Sequence, residues 1–268
     1  APHHNGGSLR FGPDGMLYVS VGDDNDSCNT QVPGAGVGCL LRLDVASLPA
    51  GGSLVAPSFS SLDPGNNPMS SATDFTQLVI GHGLRNPFRM EIDPLTGNVF
   101  LGDVGESLVE EVDVYPYSTG TLPLRNYGWP FREGDIVGPT CGGTPPPGLT
   151  DPILALSRAN GWGTLIGGPC YRNLGTDPFG TAYEGNVFYL DFWTGNLQRA
   201  VETATGWVVA PAVPGQPTPT SWGSGFAQVS SLRLGPDGSL WYSQHSWTGG
   251  ELCRIRRLGP TNSLVAVS

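Results

Sequence analysis

The feature that most constrains this chain is an internal repeat. Residues 8–17 read SLRFGPDGML and residues 231–240 read SLRLGPDGSL, identical at eight of ten positions and more than 200 residues apart. Looser copies lie at 90–101 (MEIDPLTGNVFL) and 183–190 (YEGNVFYL). Each sets a turn-forming segment between two short apolar runs, the pattern of a β-hairpin. A further short strand follows each copy, at Cys39–Val45, Glu110–Tyr115, Asn196–Ala200 and Glu251–Arg257. Four strand–turn–strand–loop–strand units predict an all-β propeller with about four visible blades of antiparallel strands in a single domain, 1–268. Unrelated hairpins in two stacked sheets are the plainer alternative, and the near-identity of the outer copies argues against it. The longest inserted loop runs from about residue 116 to 166, and no long helical periodicity is present.

Composition agrees. Gly (40) and Pro (25) are abundant among 268 residues, yet 38% of the chain is hydrophobic, enough to build a core. The net charge is −10 without a basic stripe, which argues against a nucleic-acid partner. All 13 basic residues are Arg, which excludes Schiff-base, pyridoxal-anchoring and P-loop lysine chemistry. No apolar run is long enough for a transmembrane helix. The five cysteines form no C-x-x-C. Spacing suggests Cys28–Cys39 and Cys141–Cys170 disulfides with Cys253 a buried thiol, and so an extracytoplasmic compartment, periplasmic or secreted.

Several clusters border the repeats. His4, just before Asn5-Gly6-Gly7, has the near-neutral chemistry of a general base; a solvated terminal histidine is the alternative. Arg85 and Asn86 follow a Gly-rich turn and suit a carboxylate ligand; an Arg paired with a neighbouring Asp is the alternative. Gly102–Glu106 offers oxygens to a Ca²⁺ ion, and Gly22–Asp26 is a weaker oxygen-rich turn. Asn126–Pro130, with Trp162, Trp193, Trp222 and Trp247, supplies aromatic faces for a cleft or for packing between sheets. No G-x-S-x-G, H-E-x-x-H, G-x-G-x-x-G or P-loop pattern occurs.

In order, HNGGSLRFGPDGMLYVSVGD, GLRNPFRMEIDPLTGNVFLGDVGE, EEVDVY, NYGWP, GGPCYR and GPDGSLWYS resemble the glucose/sorbosone dehydrogenases. The resemblance covers nearly the whole chain. It implies a soluble aldose dehydrogenase on a six-bladed propeller, using pyrroloquinoline quinone and Ca²⁺ to oxidise the sugar C1 hydroxyl to a lactone. It implies His4 as base, Arg85, Asn86, Arg172 and Asp24 as cofactor contacts, and Gly105 and Glu106 as metal ligands. Asp24 stands where those enzymes place a Gln near the base, and Phe88 where many have a polar cofactor contact. The chain starts at the His-Asn-Gly-Gly motif, so it is read as an N-terminally incomplete piece or a short variant. The implied partners are a sugar and an unidentified electron acceptor. Two readings stand beside this one. The first is a non-catalytic extracellular propeller binding protein or glycan, as in the hedgehog-interacting type. The second is a Ca²⁺-dependent lactonase with Asn86 and Asp103 as ligands.

Overall fold

The computed structural model describes residues 3–52, 55–173, 179–246, 249–257 and 264–267. Four antiparallel sheets follow one another along the chain. Sheet 1 comprises Leu9–Phe11, Leu17–Val21, Cys39–Leu43 and Val79–His82, with Arg125–Asn126 added parallel to the last. Sheet 2 comprises Pro87–Ile92, Val99–Asp103, Val109–Tyr115 and Leu154–Ser157. Sheet 3 comprises Leu165–Cys170, Val187–Asp191, Leu197–Thr203 and Gly206–Val209. Sheet 4 comprises Val229–Leu234, Leu240–Ser246, Gly249–Arg257 and Leu264–Val267. The single α-helix among the described residues is one turn, Phe59–Leu62.

The repeated turn has a physical job. Asp14 accepts the Met16 N–H, the Tyr18 hydroxyl at 3.0 Å and the Arg42 Nε at 2.9 Å. Asp237 does the same in sheet 4, accepting from Ser239, Trp241 and Arg254. One aspartate therefore closes the hairpin and pins the third strand to it. The repeated arginines meet as well. Arg10 and Arg233 both reach Glu91, at 2.5 and 3.4 Å, so the first strands of sheets 1, 2 and 4 converge on one carboxylate.

Residues alternate between two buried faces on the inner sheets. Leu101 faces sheet 1 with Leu40, Ile80 and Tyr115, whereas Phe100 faces sheet 3 with Leu165 and Tyr189. Phe188 and Leu190 turn the other way, onto Leu232 and Tyr242 of sheet 4. This two-sided burial explains why the strands read as apolar runs rather than alternating ones. Gly102 and Gly167 allow the closest approach. A Cβ on Gly102 would lie 2.4 Å from the Gly167 nitrogen.

The structure changes two expectations. The 116–166 segment is not only a loop, because it supplies the outer strand of sheet 2 and the parallel addition to sheet 1. The disulfide is Cys28–Cys141, with Cα atoms 5.6 Å apart, and Cys39, Cys170 and Cys253 are buried free thiols. Cys39 is fully buried in its strand, so it cannot turn back to Cys28. Cys28 instead sits in the short 3-10 turn Ser27–Gln31, which packs on the inserted segment. Among the described residues no helix is long and apolar enough to cross a membrane.

Two outcomes are expected. Closing a 113-residue separation makes the disulfide worth about 2–5 kcal/mol. Cys141→Ser should lose that amount in denaturant unfolding, and a loss under ~1 kcal/mol would show that the turn's hydrogen bonds suffice. Asp113 is fully buried, and neither of its carboxylate oxygens has a partner among the described residues. Burial, with Asp103 nearby, holds its pKa well above the usual carboxylate range. A carboxyl raised on folding stabilises the fold fully below its unfolded pKa, and that stability is lost as pH rises through the folded value. Asp113→Asn should therefore raise Tm at pH 8 by roughly 2–4 °C, the shift expected for ~1 kcal/mol, with no gain at pH 4. A gain equal at both pH values would contradict the assignment.

Candidate active site

The end of sheet 1 where Leu17–Val21 stops meets the end of sheet 2 where Pro87–Ile92 starts. The chain leaves sheet 1 through Gly22 and Asp23, and the Asp23 N–H donates to the Arg85 carbonyl at 2.8 Å. Gly22 is needed here, since a Cβ would stand 1.8 Å from the His4 carbonyl oxygen. That approach seats His4 against Asp23, its Nδ1 2.7 Å from Oδ1. Asp23 is 2% exposed, and its other oxygen accepts the Trp129 indole N–H at 3.0 Å. A carboxylate oxygen accepts, so Nδ1 donates in this contact and Nε2 is the ring nitrogen left for another partner. This is the arrangement of a positioned general base.

Asp103 holds the neighbouring turn. Its carboxylate accepts the backbone N–H groups of Arg85 at 2.9 Å and Asn86 at 2.6 Å. Burial outweighs both bonds and pushes its pKa up to about 7. The Arg85 side chain then points into a ring of oxygens. Nε and Nη2 donate to Glu106 at 2.9 and 2.6 Å, and Nη1 donates to the Val104 and Gly105 carbonyls at 2.9 and 2.8 Å. The guanidinium also lies 5.4 Å from the Trp129 ring centroid. The Gly105 carbonyl accepts a second bond, from Arg158 at 3.0 Å, and Arg158 pairs with the fully buried Glu110.

His4, Arg85, Asn86, Gly105 and Glu106 are thus brought to one end of the fold. Asp24 is adjacent and exposed, while Asp23 makes the contact with His4. Arg172 is elsewhere. It pairs with Asp93 at 2.6 Å and Glu184 at 3.1 Å. Asp93 follows Ile92, and the six-residue strand before it spans about 20 Å. Arg172 therefore lies at the opposite end from Arg85, beside a polar cavity of about 210 Å³ that Glu202 and Trp207 also line. Phe88 packs into the core near sheets 3 and 4, under the Arg89 guanidinium. Trp162 and Trp222 are core residues, Trp193 is exposed, and Trp247 lies outside the described residues. Of the aromatic set, Trp129 alone among the described tryptophans touches His4's partner Asp23. Asp103, named as a Ca²⁺ ligand in the lactonase reading, uses both oxygens on backbone N–H groups.

A sequence profile of the Glucose / Sorbosone dehydrogenase family matches residues 1–155. The chain belongs to the glucose/sorbosone dehydrogenase family. It is similar to the HIPL2 protein of Arabidopsis thaliana, 31% identical over 221 residues, 74% of this chain and 30% of that protein. The chain thus spans about a third of the length of that curated relative. It is similar in fold to the soluble aldose sugar dehydrogenase of Escherichia coli in its apo form, with a TM-score of 0.65 and 20% identity, covering 94% of this chain and 64% of that one. The aldose sugar dehydrogenase of Streptomyces coelicolor in its PQQ-bound form gives 0.58 and 24% identity, covering 95% and 61%.

The turn Val104–Glu106 offers the kind of hard oxygens that Ca²⁺, the metal the resemblance implies, takes as ligands. The Val104 and Gly105 carbonyls sit at the Nη1 end of the Arg85 guanidinium and the Glu106 carboxylate at its Nε/Nη2 edge, so in this structure the guanidinium stands between them. Sequence reasoning missed Asp23, Arg158 and Glu110. Asp23 and Asp24 are neighbours, and only the turn geometry separates them. Asp23→Ala should remove the Nδ1–H preference of His4, read from its ¹⁵N ring shifts. An unchanged Nδ1–H signature would show that another group sets the tautomer.

Proposed function

We propose that the four sheets are blades of a propeller and that this chain carries the catalytic base of a periplasmic or secreted aldose dehydrogenase. The reaction oxidises the C1 hydroxyl of an aldose to a lactone, with pyrroloquinoline quinone as hydride acceptor and a further, unidentified acceptor reoxidising it. The observation that carries this reading is the His4–Asp23 pair set beside the Val104–Glu106 oxygens. The Cys28–Cys141 disulfide supports the oxidising compartment.

His4 Nε2 takes the proton from the anomeric hydroxyl as the C1 hydride departs. Asp23 orients the ring and stabilises the imidazolium that forms. Trp129 fixes Asp23 from its other oxygen and shields the pair from water. The turn at Gly105 and Glu106 would hold Ca²⁺, while Arg85 and Asn86 would face the cofactor's carboxylates. When bound, the quinone supplies a two-electron acceptor and Ca²⁺ polarises it.

Titration of the purified protein with pyrroloquinoline quinone and Ca²⁺, followed by absorbance, should give near-stoichiometric binding. His4→Ala should keep that binding and lose turnover by about 10²–10⁴-fold. Intact turnover would remove His4 from the base role. One observation favours a second reading, a non-catalytic binding propeller: in this structure Arg85 spends four of its five N–H donors on the protein's own oxygens. Absence of cofactor binding in the presence of Ca²⁺ would select it.

A further inference from the structure

We propose that Arg10, Arg89 and Arg233, gathered around Glu91 on the first strands of sheets 1, 2 and 4, form a binding site for a tetrahedral dianion of the phosphate or sulfate class. The inference does not depend on the catalytic reading. Glu91 lies five residues beyond Asn86, about 16 Å along an extended strand. Two of the three guanidinium groups meet at one atom. Arg10 donates to Glu91 Oε1 from Nε at 2.9 Å and from Nη2 at 2.5 Å, and Arg233 Nε stands 3.4 Å from the same oxygen. Arg89 precedes Glu91 by two residues, and its Nε reaches the Ser230 carbonyl of sheet 4 at 2.8 Å. The first strand of sheet 3 lies between and brings only Gly167 and Gly168 to this level. A Cβ on Gly167 would stand 2.7 Å from the Arg89 carbonyl oxygen, and one on Gly168 2.9 Å from Leu232.

Charge and donors are both in excess here. Arginine stays ionised in proteins, so three positive charges meet one negative charge and two are left over, in a chain whose net charge is −10. Among the described residues Glu91 is the only carboxylate paired with any of the three. Arg89 registers the excess: burial first, and then Arg10 and Arg233, lower its pKa. The donors are largely unspent. Arg89 commits Nε and Nη1, to Ser230 and Phe88, and its Nη2 bonds to no described residue. The Arg233 side chain is 53% exposed and makes no hydrogen bond to a described residue, so the cluster is open to solvent on that side. Two uncompensated charges and several free N–H groups match a ligand with two charges and several acceptor oxygens. A monoanion would leave one charge unmatched.

Calorimetric titration of the chain with sodium sulfate, against sodium chloride at matched ionic strength, tests this. Sulfate should bind at a single saturable site and chloride should not. Arg233→Gln, at an exposed position, should weaken sulfate about tenfold by removing one charge-assisted partner. Glu91→Gln should tighten sulfate several-fold, because it removes the resident carboxylate that competes for the same arginines; mere loss of packing would weaken it. Should Glu91→Gln fail to fold, Arg233→Glu decides by abolishing sulfate binding or leaving it. Glucose 6-phosphate and inorganic phosphate then separate the sources of the dianion. Tighter binding of the ester would assign the site to a phosphorylated sugar, and equal or weaker binding to the free oxyanion. Sulfate binding that is absent, or unchanged in both Arg233 variants, would overturn the site and leave the arginines as structural partners of Glu91.

Discussion

Buried carboxylates that accept backbone N–H groups hold this site together. Asp103 takes the amides of Arg85 and Asn86, while the carbonyls of the same two residues accept from Asp23 and Val104, so the turn is fixed over sheet 2 from both sides. Glu133 takes three consecutive amides, from Ser107, Leu108 and Val109, and so fixes the segment just beyond Glu106. Magnitudes separate the two. Asp103 is almost fully buried, and desolvation outweighs its two bonds, so its pKa rises to about 7. At Glu133 desolvation is also the largest single influence, but the backbone bonds together exceed it and the pKa falls. The same device, with one more amide, changes sign.

The repeat was legible in the sequence because its residues do the same work in different sheets. Asp14 and Asp237 each bond the turn, an aromatic on the second strand and an arginine on the third. Arg10 and Arg233 are equivalent in the repeat and meet at Glu91. The first three strands of sheets 1, 2 and 4 follow from that pattern, but in sheet 3 the first strand, Leu165–Cys170, lies upstream of the copy at 183–190, whose start is a 3-10 turn. The fourth strands do not, because they carry no shared turn. Leu154–Ser157 reaches sheet 2 only after a long excursion, and its register against Val109–Val112 comes from packing, not from a local motif. Pairing of cysteines failed for the same reason. Proximity in sequence favoured Cys39 and Cys170 as partners, but strand direction placed both thiols in the core.

Two arginines with equal standing in the sequence ended about a strand length apart. Arg85 precedes the first strand of sheet 2, whereas Arg172 follows the first strand of sheet 3. The Arg172 partner Asp93 follows the sheet 2 strand, so these two first strands run in the same direction with Arg85 and Arg172 at opposite ends. The side chain of Arg172 is consumed by Asp93 and Glu184. Motif order along a chain says nothing about which end of a strand a residue occupies until the strand boundaries are known.

The inserted segment connects the disulfide to His4. Gln31 and Asn126 exchange reciprocal hydrogen bonds, and Thr30 and Gln31 both donate to the Trp129 carbonyl. Cys28, three residues before Gln31, is tied to Cys141 further along the same inserted segment. Trp129 in turn donates to Asp23, which holds His4. A covalent clamp, a polar seam and an indole N–H therefore stand in series behind one imidazole. None of the clamp residues touches His4, yet Trp129, which they hold, fixes its partner Asp23, so the inserted loop is part of the frame behind the imidazole.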